Sequence, residues 1–161
     1  MVVYSFYIFD RHTECIYTKR WTPRPISNST KAATIASNGD SNASRHKALS
    51  KEDDAKLIFG VVFSLRNLVQ RLAGEDNSFI SYRTGEYKLH YYETPTRMKF
   101  VMLTDTKTNN LRVALHQIWA SLYVEYVVKN PLSPVEHAGG VGVANELFEQ
   151  GLERFVGTVL A

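Results

Sequence analysis

Residues 79–105 read FISYRTGEYKLHYYETPTRMKFVMLTD, and this stretch decides the fold. Three runs of β-forming residues, Phe79–Arg83, Tyr87–Glu93 and Met98–Thr104, are separated by short turn signals. The first is Thr84-Gly85-Glu86, where Gly85 can supply the positive φ of a tight hairpin. The second is Pro95-Thr96-Arg97. Tyr87, Leu89 and Tyr91 alternate with Lys88, His90 and Tyr92, which predicts one drier face and one mixed face. Phe100-Val101-Met102-Leu103 is apolar at both parities, the pattern of a strand covered on both sides. Such a meander needs helices above and below it.

Working outward, Val2–Phe9 is apolar at nearly every position and predicts a second central strand. Cys15–Trp21 follows a polar turn, with Cys15, Tyr17 and Trp21 on one parity, and its Lys19 and Arg20 suit a charged edge strand. Residues 22–49 carry Pro23, Pro25 and many Ser, Asn, Thr and basic residues without periodicity. They predict a mobile basic insertion inside a single domain spanning 1–161. Ser50, with Asp53 three residues on, opens a helix to about Leu72. Its Leu57, Ile58, Val61, Val62, Leu65, Leu68, Val69 and Leu72 fall within a stripe of roughly 140°, read as one buried face. Phe59 and Phe63 lie outside that stripe, beside Arg66 and Gln70.

A second helix, 109–129, is apolar nearly all round, with Leu111, Leu115, Ile118, Trp119, Leu122, Tyr123, Tyr126 and Val127 as its main stripe. A third, 145–160, repeats apolar residues from Leu147 to Leu160 at i, i+1, i+4 and i+5. The two late helices can cover one face of the sheet together, leaving the first helix alone on the other. Phe59 and Phe63 fit either a wide buried face with the rings lapping over the sheet edge or a partner protein, and the asymmetry, which leaves them less sheltered, favours the partner.

Composition bounds the chemistry. One cysteine in 161 residues allows no internal disulfide and implies a reducing compartment. Cys15 reads as a small buried hydrophobe. No apolar run approaches the ~20 residues of a membrane span, and the chain opens on a strand where a secretory leader would have a charged region. The formal charge of +3 is uneven. Lys19, Arg20, Arg24, Lys31, Arg45, Lys47 and Lys51 face one acid, Asp40, so the remainder is slightly acidic. That basic segment lacks aromatics after Trp21, which argues against nucleic acid.

His12, His46, His90, His116 and His137 have no metal-ligand spacing, and no CxxC, G-x-S-x-G or Walker pattern occurs. Gly139-Gly140-Val141-Gly142 follows a proline turn instead of a strand, so it reads as a flexible link. The residues therefore predict no catalytic set, no cofactor and no metal.

The order strand–strand–helix–strand–strand–strand–helix–helix is that of the longin fold, an α/β (α+β) architecture. It implies a five-stranded antiparallel sheet with one helix on one face and two on the other. Local sequences narrow the resemblance. Tyr4-Ser5-Phe6, Ile8-Phe9-Asp10-Arg11-His12, Cys15-Ile16-Tyr17 and Trp21 make up an opening hairpin. Asp54-Ala55-Lys56-Leu57, Gly60 and Phe63-Ser64-Leu65-Arg66 lie in the first helix, and Tyr82 to Tyr91, Lys99-Phe100-Val101 and Thr104-Asp105 in the meander. Tyr123-Val124, Tyr126-Val127 and Asn130-Pro131-Leu132-Ser133-Pro134 follow in order. Together they resemble the smallest longin-type subunits (subunit 1 type) of TRAPP, the trafficking protein particle complex. The insertion after Trp21 is longer than in that family, and Arg97 stands where its turn is often glycine.

The resemblance implies a non-catalytic core subunit of a vesicle-tethering complex in endoplasmic reticulum-to-Golgi transport. The assembly is a guanine-nucleotide exchange factor for a Rab GTPase. Implied partners are the other small TRAPP subunits and, through the complex, the Rab. Membrane association is peripheral and indirect, at the cytoplasmic side of the cis-Golgi and endoplasmic reticulum. The residues expected to meet partners are Phe59, Phe63, Arg66, Gln70, Tyr82 and Arg83. A coat-adaptor small subunit or a SNARE-type longin domain shares the fold, although a chain ending at Ala161 without heptads or an anchor disfavours the SNARE. A ligand-binding α/β sandwich is the reading from another class.

Overall fold

The computed structural model of the chain describes residues 1–23, 50–74, 79–137 and 142–160. The predicted insertion, from residue 24 on, and the glycines of 139–141 lie outside the described residues. Five strands, β1 (Val3–Phe9), β2 (Cys15–Arg20), β3 (Ser81–Arg83), β4 (Lys88–Glu93) and β5 (Lys99–Thr104), form an antiparallel sheet. Their order is β2-β1-β5-β4-β3, so the two doubly apolar strands are neighbours near the middle. Helix α1 (Lys51–Ala73) covers one face. Helix α2 (Arg112–Gln117), the π-helical segment Ile118–Val128 that continues it, and α3 (Glu146–Val159) cover the other.

Alternation divides the core. Phe6, Ile8, Phe100 and Met102 pack with Leu115, Ile118, Phe148 and Leu152 on the two-helix face. Tyr7, Phe9, Val101 and Leu103 pack with Ile58 and Val62 on the α1 face. Caps fix the helix starts as the sequence implies: Ser50 Oγ accepts from Asp53 N at 3.1 Å, and Asn145 Oδ1 accepts from Leu147 N and Phe148 N.

Five expectations change. Cys15 and Tyr17 do not share a face. Phe9 opposes Cys15 while Ile8 opposes Tyr17, so Ile16 is an extra bulge residue, buried on the two-helix side. Its carbonyl accepts from Val143 N at 2.7 Å, closing part of the β2 edge. A Cβ on Gly142 would lie 3.0 Å from that same oxygen, so Gly142 is a close-approach residue and not a slack link.

Gly85 is not in the left-handed region. Thr84 makes the hairpin turn instead, with Thr84 N donating to Tyr87 O and Thr84 Oγ1 accepting from Tyr87 N.

The second helix begins at Arg112 and widens to i→i+5 bonding after Gln117; Lys129 N donates to Val124 O. Its buried residues, Leu115, Ile118, Tyr123 and Val127, include a five-residue step that a regular α-helical stripe cannot make.

The stripe assigned to the α1 core splits. Ile58 and Val62 are buried, but Leu57 (56% exposed), Val61, Leu68 and Leu72 (78%) face outward. A lone helix touches a sheet along a narrow line, and apolar periodicity marks a direction without showing how far support extends.

Candidate functional site

With Ile58 pointing at the sheet, 100° per residue puts Phe59, Arg66, Gln70 and Phe63 along one flank of α1. Leu57, Val61, Leu68 and Leu72 fall along the other. Between them the outermost surface carries Lys56, Gly60, Ser64 and Arg71, so the helix has a polar crest and two apolar shoulders. Tyr82 sits by the second shoulder, in a shallow groove with Leu57, Gly60, Val61 and Ser64. The structure therefore gathers Phe59, Phe63, Arg66 and Gln70 but leaves Tyr82 at the opposite side of the helix, and exposed Arg83, paired with Lys88, belongs to the other face of the sheet.

Phe59 is half-buried, its ring 5.5 Å from Phe9 and 5.8 Å from Phe63, which is itself 50% exposed. Phe9, Phe59 and Phe63 form an aromatic row leading from the core to solvent. Between this row and the β1–β2 hairpin lies a cleft lined by Cys15, Ala55, Lys51 and Lys56. Burial pushes the Cys15 thiol up to about 11, so it is no nucleophile near neutral pH.

Two polar clasps hold α1 down. Near its start, buried Asp54 accepts from the Tyr7 hydroxyl and pairs with Arg20 at 2.8 Å. Farther along, Arg66 grips both oxygens of Glu93, at 2.7 and 3.2 Å, and Tyr91 donates to the same carboxylate. Arg66, expected to face a partner, is thus engaged within the chain; hydrogen bonding to Glu93 strengthens its hold on its proton.

Strand register places these groups in one line. Across the α1 face, Cys15 opposes Phe9, Phe9 opposes Lys99, and Lys99 opposes Glu93. Lys99 is 8% exposed, and one hydrogen bond, Nζ to Arg97 O at 3.2 Å, is its only direct partner among the described residues. Burial lowers its proton affinity, opposed by Glu93. Arg97 is exposed, holds φ at 64°, and its side chain has no hydrogen bond or ion pair among the described residues.

Sequence reasoning missed Lys99, Arg97 and Glu93 as part of this site. The one available signal was a lysine beginning an otherwise doubly apolar strand. Among the described residues, no group of three His, Cys, Asp or Glu is arranged to hold a metal. No helix there is long and apolar enough to cross a membrane. The arrangement offers rings, committed ion pairs and, among the described residues, two cations without an ion pair, the makings of a recognition surface.

This fold and surface have a family. The Sybindin-like family model matches residues 3–159, and the chain belongs to that family. It is 43% identical to the transport protein particle subunit bet5 of Schizosaccharomyces pombe, covering 99% of this chain and 98% of that protein. It is 37% identical to the trafficking protein particle complex subunit BET5 of Saccharomyces cerevisiae, covering 96% and 87%. It is 36% identical to the trafficking protein particle complex subunit 1 of Homo sapiens, covering 97% and 92%.

Proposed function

We propose that this chain is the small longin-type core subunit of a trafficking protein particle complex. Its role is vesicle tethering between endoplasmic reticulum and Golgi. One observation carries the reading: similarity to proteins named as such subunits runs along almost the whole of both chains. The chain contributes framework and has no active site of its own. Exchange on the Rab GTPase belongs to the assembly, which binds the nucleotide-free GTPase better than the loaded one and so ejects GDP. Its partners are the other small subunits, and the Rab through the complex. It works on the cytoplasmic side of cis-Golgi and endoplasmic reticulum membranes, held there peripherally by the complex.

Within that role, the α1 flank bearing Phe59 and Phe63, with Gln70 beside them, is the surface we assign to a partner. Tyr82, on the far side of the helix, and Arg83, on the other face of the β3 edge strand, are further contact positions. The half-exposed Phe63 ring supports the first assignment, because a ring stacked at one edge and open at the other gains area from a partner.

The test is co-expression with the other small subunits, followed by a GDP-release assay on the purified core. The chain should co-purify, and Phe63→Asp should lower its recovery while the isolated variant keeps the wild-type melting temperature. A wild-type chain that never co-purifies defeats the subunit reading. A Phe63→Asp variant that assembles normally defeats only the surface. Phe59→Asp is the less clean probe, since its ring also packs on Phe9.

A further inference from the structure

Among the described residues, the cations at the end of the α1 face, Arg97 and Lys99, have no ion pair. Glu93 is the acid nearest to Lys99 in register, but both its oxygens are taken by Arg66 and one also by the Tyr91 hydroxyl. Asp10, at the same end of β1, and Glu93 attract the Lys99 ammonium without bonding to it, and Asp10 Oδ1 accepts from His12 N and Glu14 N. Lys99 has three N–H donors and uses one. A buried ammonium without an ion pair is costly. Arg97 adds a second cation a few residues away, in a backbone conformation that favours glycine. Lys99 stands beside the aromatic row through its pairing with Phe9, and Arg97 lies two residues before it in the β4–β5 turn.

We infer that Arg97 and Lys99 receive a carboxylate from another subunit of the complex, on a segment whose neighbouring apolar side chain covers Phe63. The partner chemistry is therefore an acidic residue next to an apolar anchor. Charge decides the occupant: two cations without an ion pair among the described residues match an acidic–apolar segment and repel a basic one. Strain in Arg97 and burial of Lys99 are then offset in the assembly, where their charges find a counterpart. This inference rests on the subunit reading above and adds the nature of the contact.

The experiment uses the full chain co-expressed with the other small subunits, scoring recovery in the complex from about 0.1 to about 0.5 M NaCl. Arg97→Glu should lower recovery on the order of tenfold at the lower salt, and wild-type recovery should fall as salt rises. Arg97→Gly relieves the left-handed strain, so the isolated chain should melt at the same or a higher temperature while recovery still drops. Lys99→Met should likewise weaken assembly without lowering the melting temperature.

Wild-type assembly with unchanged recovery of all three variants at every salt overturns the inference and leaves the subunit reading standing. So does a recovery loss matched by a fall in melting temperature. Salt-sensitive self-association of the isolated chain, abolished by Arg97→Glu, would seat a second copy there and also overturn it. A wild-type chain that never assembles removes both readings.

Discussion

The two faces of the sheet are held by different physics. On the two-helix face, Phe6, Phe100, Leu115, Ile118, Phe148 and Leu152 are all fully buried in one apolar cluster. On the other, α1 contributes Ala55, Ile58 and Val62 as its buried apolar line and relies on the Asp54 and Arg66 clasps for anchorage. Width explains the contrast. Five strands spaced about 4.8 Å apart are wider than one helix of about 10 Å. Both helical layers keep apolar side chains exposed, Val113, Val128, Leu147 and Val159 on the two-helix side and Leu57, Val61, Leu68 and Leu72 on α1, but only three apolar residues of α1 are buried beneath it.

Mutations can break or sharpen this contrast. The largest effect should come from Phe148→Ala, which should cost about 3–5 kcal/mol by urea unfolding. Val62→Ala under α1 should cost about 2 kcal/mol. Equal losses would erase the distinction between the faces. Next comes pH. His90 lies on the two-helix side of β4, its Nε2 3.0 Å from Thr104 Oγ1 and its Nδ1 without a hydrogen bond among the described residues.

Burial, helped by the nearby charge of Lys88, lowers the His90 ring to about 4. The unfolded chain takes up this proton near 6.5 and the folded chain refuses it until about 4. Stability should therefore be flat above pH 7 with respect to this group and fall by about 3 kcal/mol between pH 6.5 and 4. A urea midpoint unchanged across that window would show that the two-helix face admits the charge.

On the α1 side, Asp54→Ala should cost about 2 kcal/mol, and combining it with Arg20→Ala should cost less than the sum. Strict additivity would mean that the clasp is not one unit. Arg97→Gly should gain up to about 1 kcal/mol in the isolated chain. The smallest effect belongs to Leu72→Gln, expected within about 0.5 kcal/mol. A larger loss would mean the shoulder is supported.

How much of this was legible in the sequence differs by level. The elements were, because alternation in 79–105 and the helical spacing after Ser50 record local geometry. Their packing was less so. Ile58 and Leu57 are equally apolar, and only the position of the sheet makes one core and the other surface. The Ile16 bulge left no mark, since Cys15-Ile16-Tyr17 reads as plain strand. Thr84 did the work attributed to Gly85 because a threonine hydroxyl can close a turn that glycine would also permit. At the candidate site, Phe59, Phe63 and Arg66 were visible as a helical flank. Lys99 and Glu93 join them only through the register of β1, β5 and β4, which distant pairings determine.

That central pairing has a consequence for how the chain tolerates change. Phe9 at the end of β1 meets Lys99 at the start of β5, so everything between them is a loop that must close before the sheet exists. The entropy of closing so long a loop grows only logarithmically with length; deleting residues 24–49 would alter it by about 0.3 kcal/mol. The sheet centre is therefore nearly indifferent to how much chain is inserted after β2. Its assembly must wait, however, until β5 has been synthesised, which makes docking of the local amino-terminal hairpin into the sheet a late event.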